Sequence, residues 1–301
     1  YELSYEAFHS NKDQLYRVVT DIETPSNTYK TPVIDWNILS EITAEFPEVE
    51  NNTRLNDTEF DVRLGNNNYH ESKVLGVDES FFQIFDYELL QGNPIEALKT
   101  PFSLVLSEST AKKYFGDENA LGKTLKIMDG NRIATVTGVM KDNPKNTQIK
   151  SDILISMSTY TEVIDPELKE SWGDFNNRGF VLLNKNANPK ALEAKIASYN
   201  ERAHGKIMKE VELKLTYFLE PIEDIYLYSE RGSSPQIGNV YIFLIVALFI
   251  LLIAAINFIN LTTARSVERA KEVGIRKVIG AKKGQLSIQF LSESIVICLF
   301  A

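Results

Sequence analysis

Residues 240–256 read VYIFLIVALFILLIAAI and decide the architecture of this chain. The stretch carries no charge, and the hydroxyl of Tyr241 is its one polar side-chain group. Extended to residue 259, it forms a helix of roughly 30 Å, which matches the hydrocarbon thickness of a bilayer. A buried helix of a soluble domain usually keeps a polar stripe, and none occurs here before Asn257. The stretch therefore predicts a membrane-spanning helix, and its position late in the sequence excludes a secretory signal.

The residues that follow the apolar stretch are basic. Residues 265–283 contain seven Lys and Arg residues against two Glu residues, a net charge of +5. Because Lys and Arg are retained on the cytoplasmic side of short loops, this side is predicted to be cytoplasmic and the preceding domain extracytoplasmic. Removing this segment and Glu293 from the chain's net charge of −9 leaves −13 for residues 1–264. Such an acidic region argues against nucleic acid as a partner.

Composition divides the chain into four segments. We predict an extracytoplasmic domain at residues 1–239 and a transmembrane helix at residues 240–264. A cytoplasmic coupling segment at residues 265–285 and the truncated start of a second transmembrane helix at residues 286–301 follow. The single cysteine, Cys298, lies in the last segment. The outer domain therefore has no disulfide and depends on packing for its stability.

The outer domain alternates strand-like and helix-like patterns. We expect an α+β fold of two subdomains, each of mixed strands and helices, joined to transmembrane α-helices. The first residues predict a helix that runs into a strand, because Phe8, Leu15, Tyr16 and Val19 fall at roughly helical spacing. Further helices are predicted at residues 36–46, 107–115 and 189–202, and a hairpin at residues 123–128 and 132–139.

The aromatic residues of the outer domain crowd into one short segment. Phe81, Phe82, Phe85 and Tyr87 lie within seven residues, which is typical of a hydrophobic core. A ligand-binding groove is the alternative.

No known catalytic or ligand pattern meets its residue requirements. Gly116 and Gly122 are too far apart for a phosphate loop, and the segment leads from a helix into a strand, the reverse of the order that motif needs. Asp57, Glu59 and Asp61 lack the glycine and the bidentate Glu of a calcium loop and are expected to form a solvated strand face. The isolated histidines 9, 70 and 204 are interpreted as surface residues. We therefore predict no catalytic, cofactor-binding or metal site and no enzymatic activity.

The stretch with the strongest functional pattern follows the apolar helix. Residues 264–294 are basic and amphipathic, and we expect Gly274 to weaken a continuous helix and Gly280 with Ala281 to allow a tight turn. An element joined to two spans can pass force to a cytoplasmic partner that contacts Arg269, Glu272, Arg276 and Lys277. Simple positive-inside anchoring is the alternative.

This stretch resembles a known family. INFINLTTARSVERAKEVGIRKVIGAKKGQLSIQFLSES, residues 256–294, is similar to the signature after the second span of FtsX-like, MacB-type ABC transporter permeases. YELSYEAFHSNKDQLYRV at residues 1–18 resembles the sequence after the first span in that family. LSESTAKKYFGDENALGKTLKI and VTGVMKD, residues 106–127 and 136–142, resemble its MacB-like periplasmic core domain.

The resemblance implies a multi-pass permease of the bacterial inner membrane, with residues 1–239 outside the cytoplasm. It implies an ABC ATPase partner, fused or separate, a second permease copy or homologue, contact with membrane lipid, and a periplasmic adaptor or outer-membrane protein. It also implies an ATPase-coupling segment that matches the family's cytoplasmic pattern at Glu272, Gly274, Arg276, Lys277, Gly280 and Ala281, with Arg269 beside it.

The expected function is mechanotransmission, in which ATP hydrolysis in the cytoplasm moves the outer domain to extrude a substrate. Two alternatives use the same scaffold. One is a lipoprotein-releasing or peptide-sensing module, which should offer an apolar groove near the membrane. The other is a membrane regulator of a cell-wall hydrolase, which should offer a protein-binding patch.

Overall fold

The structure of the chain is a computed structural model that describes residues 2–65, 67–128, 130, 132–232, 234–264, 266–280 and 282–300. It divides into two compact units, residues 1–237 and 238–301. The strands are β1 (Leu15–Glu23), β2 (Thr28–Thr31), β3 (Val49–Leu64), β4 (Asn67–Val77), β5 (Leu89–Gly92), β6 (Ser103–Ser107), β7 (Thr124–Ile127), β8 (Arg132–Met140), β9 (Ile153–Ser156), β10 (Asn177–Leu183) and β11 (Lys214–Pro221). The α-helices are α1 (Ile38–Glu45), α2 (Phe81–Ile84), α3 (Glu108–Phe115), α4 (Pro189–Glu210), α5 (Asp224–Leu227), α6 (Ile237–Ala264), α7 (Ser266–Val278) and α8 (Lys283–Phe300).

One mixed sheet organises the first unit. Its strand order is β11-β1-β10-β3-β4-β9-β6-β8-β5, with β2 paired to β1 and β7 paired to β3 and β8. The pairs β4–β9 and β6–β8 are parallel, and the other pairs are antiparallel. The mixed α and β character predicted from the sequence is therefore confirmed.

The two predicted subdomains are not separate bodies in the described residues. β3 and β4 are long central strands of 16 and 11 residues: the first half of β3 pairs with β10 and its end pairs with β7, while β4 pairs with β9, so both ends of the sheet share them. Helices α1 and α4 pack at one end, against β10 and β11, while α3 packs at the other, against β6 and β8. Separate side-chain clusters lie beneath each group, but one hydrogen-bonded sheet joins them.

Local capping explains where the predicted helices begin and end. The Ser107 hydroxyl accepts a hydrogen bond from the amide of Thr110, and Gly116 ends α3 with a φ of +62°, as predicted. Helix α4 begins with an Asn188 cap and continues eight residues beyond the predicted end at Arg202. It continues because Met208 is buried on the core side, and tertiary packing overrides the weak helix propensity of Gly205.

The N-terminal prediction was right for the strand and wrong for the helix. Residues 2–14 contain two short 3-10 turns, Glu2–Ser4 and Lys12–Gln14, and lead into β1, so no regular helix occurs among the described residues before the strand. The apolar spacing instead reflects Phe8, which is half-buried, and Leu15, which is fully buried in the sheet. Short apolar patterns do not distinguish a helix from a turn that packs on a sheet.

Helix α6 dominates the second unit. It contains 28 residues, its most apolar 18-residue window has a mean hydropathy of 3.1, and none of that window is buried. Among the described residues it is the one helix long and apolar enough to cross a membrane. A soluble core helix would be buried, and a folded domain precedes α6, so neither a soluble core nor a signal sequence explains it. The second span predicted at residues 286–301 stays a prediction.

Candidate functional site

The predicted coupling segment forms a helix, a turn and a second helix. Helix α7 runs through Gly274 without a break, so the expected weakening of the helix at this position does not occur. Gly280 follows the helix with a φ of +96°, a conformation that strains any residue with a Cβ. The Gln285 side chain then accepts a hydrogen bond from the Lys282 amide at the start of α8. Arg269 lies within α7, and Ala281 lies outside the described residues.

Arg276 joins the two helices of this segment. Its guanidinium binds the carboxylate of Glu272 one turn earlier in α7 and donates to Gln289 Oε1 of α8 at 2.7 Å. The Arg276 and Glu272 side chains are 39% and 48% exposed, so this contact fixes geometry more than it adds stability. The sequence missed Gln289, although a polar residue between Ile288 and Phe290 could have indicated an interhelical bond.

A second face of α7 is apolar and exposed. Ile275, Val278 and Ile279 are 64%, 89% and 80% exposed, and with Lys271 and Gly274 they line a shallow depression. At 100° per residue, Val278 projects about 120° away from Glu272, and Ile275 about 60° away. Ile279, just after the end of α7, projects about 20° away, so the apolar face borders Glu272 and extends away from Arg276. Among the described residues, apart from the neighbouring residues and the backbone of α7 itself, no heavy atom lies within 4 Å of a Cβ built at Gly274. The chain's own packing therefore does not explain why this position is a glycine.

The sequence did not single out this apolar face as the contact surface. It pointed to Glu272 and Arg276, which the structure brings together with Gln289, and to Lys277, which is exposed on another side of α7. One predicted site residue, Gly274, does lie on this face. The available signal was the position of Val278 three residues after Ile275 and four after Gly274.

The polar residues at the end of α6 have local partners. The hydroxyls of Thr262 and Thr263 donate to the carbonyls of Phe258 and Ile259, four residues earlier, at 2.7 and 2.8 Å. Such back-bonding satisfies a hydroxyl inside an apolar medium without a second helix.

The aromatic segment of the outer domain lies mainly in the core. Phe81 and Phe85 are each 1% exposed, and Phe85 packs edge-on against Phe180 with ring centroids 5.1 Å apart. The buried Tyr87 hydroxyl donates to the Ile149 carbonyl at 2.5 Å. These contacts place Phe81, Phe85 and Tyr87 in the core, as the sequence predicted; Phe82 is partly buried, and Tyr87 with Phe8 also lines a shallow surface depression.

The histidines have three different environments. His70 is exposed on β4, its Nδ1 lies 2.9 Å from the Asp61 carboxylate, and this partner raises the pKa of the imidazole. His204 is half-buried and bonded to Glu41 at 2.8 Å. His9 is fully buried beside Glu6 and accepts the Asp86 amide at Nδ1, so its interpretation as a surface residue was wrong. Among the described residues, no three His, Cys, Asp or Glu side chains are grouped to hold a metal ion.

Comparisons with known proteins agree with this architecture. The profile of the MacB-like periplasmic core domain matches residues 3–199, and that of the FtsX-like permease C-terminal domain matches residues 244–301. The protein from Neisseria gonorrhoeae called macrolide export ATP-binding/permease protein MacB is 30% identical over 232 residues, which are 76% of this chain and 33% of that protein. The protein of the same name from Photorhabdus laumondii is 26% identical over 263 residues, 86% of this chain and 37% of that protein.

The fold also occurs among solved structures. A crystallised domain of a protein described as a permease, from Porphyromonas gingivalis, superposes with a TM-score of 0.62 at 23% identity, covering 77% of this chain and 98% of that domain. The chain itself spans about a third of the length of the curated relatives it matches. The first profile covers well over half of the residues, and the second covers most of the remainder. The chain therefore belongs to the family of permeases that join a MacB-like periplasmic core domain to an FtsX-like C-terminal permease domain.

Proposed function

We propose that the chain is part of an ABC transporter permease that couples cytoplasmic ATP hydrolysis to movement of its outer domain, for the extrusion of a substrate. Membership of the family supports this function, and the relatives are named as ATP-binding/permease proteins. The chain itself contributes no catalysis. ATP is hydrolysed by a fused domain or by a separate subunit.

The membrane arrangement follows from α6 and its flanks. Helix α6 crosses the bacterial inner membrane, with residues 1–239 on the extracytoplasmic side and α7 in the cytoplasm. The exposed apolar surface of α6 supports this arrangement, because lipid in a bilayer would shield that surface from water. The complete permease is multi-pass, contains a second permease copy or homologue and acts with a periplasmic adaptor or an outer-membrane protein.

The observation that carries the proposal is that α7 has one side bonded to α8 and another, apolar side that no described residue covers. Arg276 donates to Gln289 of α8, and Glu272 of α7 binds the same guanidinium, so α7 and α8 can move together. The face of Ile275, Val278 and Ile279 stays uncovered, and a contiguous exposed apolar surface usually marks a contact site.

The ATPase is the occupant that fits this face best. A partner groove that is apolar in its centre and acidic at its rim would complement the Ile275 face with Lys271 beside it. The open space at Gly274 lets a partner's backbone approach the helix closely. Membrane lipid remains a contact of α6.

Stimulation of ATP hydrolysis tests this assignment. The full-length permease is reconstituted with its ATPase, and wild type is compared with Val278→Asp. We expect tenfold or greater loss of stimulation, about 1.4 kcal/mol or more of lost coupling, because a carboxylate would enter the apolar contact. Val273→Asp is the control, since it makes the same change on the opposite side of α7; Val273 is partly buried where Val278 is 89% exposed, so the control is the more demanding of the two for folding. Equal stimulation by wild type and Val278→Asp, with both proteins folded, would remove the ATPase from this face.

A further inference from the structure

The chain leaves the outer domain for α6 through a short linker, residues 228–236, that follows α5. Three of its side chains bond to the sheet: Ser229, Arg231 and Glu230, whose carboxylate lies 3.1 Å from Lys30 Nζ on β2 in an exposed pair. The Ser229 hydroxyl accepts from Arg17 Nη2 at 2.9 Å, and the Arg231 guanidinium reaches Asp21 Oδ1 at 2.7 Å and Glu220 Oε1 at 3.2 Å. The linker is thus bound to β1 and β11 by several directional contacts.

These contacts form one closed network of balanced charge. Arg17 also binds Glu220 Oε2 at 2.6 Å, so Glu220 lies between two arginines and Arg231 lies between two carboxylates. The four charged side chains are 6% to 16% exposed. We call Arg17, Asp21, Glu220, Ser229 and Arg231 the linker clamp. Partly buried, mutually paired charges of this kind hold a defined geometry, because loss of one partner leaves another charge uncompensated.

Packing reinforces the clamp at the next residue. Gly232 has a φ of +87°, and a Cβ built there would lie 2.8 Å from Cγ of Pro32. The Arg231 guanidinium also lies over the Phe218 ring, 5.2 Å from its centroid. Gly232 could not be replaced by a residue with a Cβ without moving the linker away from Pro32.

The clamp is placed on strands that are already fixed to each other. Arg17 and Glu220 are directly opposed in the antiparallel register of β1 and β11. β1 is also paired to β10, so displacement of the clamp would displace the sheet and not only a loop.

We propose that the linker clamp is the joint through which movement of α6 is passed to the outer domain. This inference rests on the proposed function, because it assumes that ATP hydrolysis displaces α6. With the clamp closed, the five residue steps from Gly232 to Ile237 span at most about 17 Å. With the clamp open, weaker contacts remain on the linker: the Gln236 amide donates to the Tyr226 carbonyl at 3.4 Å, and Glu230 pairs with Lys30 at the surface. Once these also break, the chain from Tyr228 to Ile237 spans about 30 Å, so α6 can move without moving the sheet.

Distance changes in the full-length permease with its ATPase test the joint. Cys298→Ser removes the one thiol of these 301 residues, and any cysteine elsewhere in the full-length protein is replaced in the same background. Fluorophores are placed at Ser72→Cys on β4 and Gly284→Cys on α8, both exposed. The change in their separation on ATP addition is measured in lipid nanodiscs. Two variants weaken the linker clamp by different means. Arg231→Met removes two ion pairs but keeps an apolar side chain over Phe218. Gly232→Ala adds a Cβ that pushes the linker away from Pro32.

Arg54→Met is the matched control. Arg54 pairs with Asp78 at 2.7 Å, and the two side chains are 18% and 19% exposed, much like the clamp, but neither touches the linker. We expect both clamp variants to lose more than half of the ATP-dependent distance change while ATPase stimulation stays within twofold of wild type. Arg54→Met should keep both readouts.

Two results would overturn the inference, and they are distinguishable. If both clamp variants keep the wild-type distance change, the clamp is not the joint and the proposed function stands. If wild type itself shows no ATP-dependent change, the mechanotransmission function fails, and the clamp's role fails with it.

Discussion

The outer domain and the segment that follows it are stabilised in opposite ways. Among the described residues, Leu286 is the one buried hydrophobic side chain beyond residue 237, whereas the outer domain buries hydrophobic side chains in three large clusters. On α6, residues such as Phe243 and Leu251 are 74% and 66% exposed. One region thus completes its core by itself, and the other needs a bilayer and protein partners to cover its apolar surface.

The ion pairs of the two regions also differ in how far apart in sequence their partners lie. In the outer domain, Arg17 binds Glu220 and Arg231 binds Asp21, pairs that lie about 200 residues apart in sequence. In α7, Arg276 binds Glu272 four residues away. Long-range pairs tie distant segments into one body, while the local pair leaves the remaining surface of α7 free for a partner.

The largest expected effect is on independent folding. Residues 1–237 expressed alone should unfold cooperatively on heating, because their core and sheet are complete without the rest. Residues 238–301 should aggregate in buffer and become helical and monodisperse only in detergent or lipid. Circular dichroism and size-exclusion chromatography measure both. A soluble, cooperatively folded 238–301 fragment would contradict the comparison.

Two Phe→Ala substitutions, one in each region, test the difference in burial between the outer domain and α6. Phe85→Ala should lower the free energy of unfolding of the outer domain by about 3–5 kcal/mol, because it leaves a cavity in the aromatic cluster. Phe243→Ala removes the same ring from an exposed position of α6 and should change that free energy by less than about 0.5 kcal/mol. Urea titration of the full-length protein in detergent, followed by outer-domain tryptophan fluorescence, compares the two. Equal losses would refute the assignment of the cores.

A charge swap on α7 should have a smaller energetic effect. Glu272→Arg and Arg276→Glu each break the pair, and the double variant restores an ion pair of opposite direction. We expect a coupling energy of about 0.3–0.5 kcal/mol, reduced by solvent screening. ATPase stimulation should fall in each single variant and recover partly in the double variant. Full loss in the double variant would show that the side chains act on a partner individually and do not only fix α7.

The smallest expected effect is on an exposed outer-domain pair. Hydrogen bonding to Asp61, assisted by Glu59, raises the pKa of His70, so protonated His70 is favoured in the folded state. Its contribution to stability is complete below the unfolded pKa of about 6.5 and is lost as pH rises through the higher folded value. Titration of the imidazole by NMR should give a pKa above that of the Asp61→Asn variant. Identical values would mean that the pair does not form in solution.

Several parts of the fold were predictable because their causes are local. Ser107 and Gly116 bound α3, and the antiparallel pair β7–β8 formed where alternating residues had predicted a hairpin. Burial of Phe81 and Phe85 followed from their chemistry. The errors occurred where distant contacts decide the structure. Burial of His9 depends on Glu6 and Asp86, and the length of α4 depends on what Met208 touches.

The sequence by itself determined the apolar helix, the sign of its flanks, the α and β composition and the family resemblance, because hydrophobicity, charge and motif are properties of neighbouring residues. Only the tertiary structure decided that one sheet unites the outer domain, that Arg276 contacts Gln289, and that Arg231 returns to Asp21 and Glu220. These features join residues far apart in the chain. Their geometry depends on strand register and packing, which no local pattern encodes.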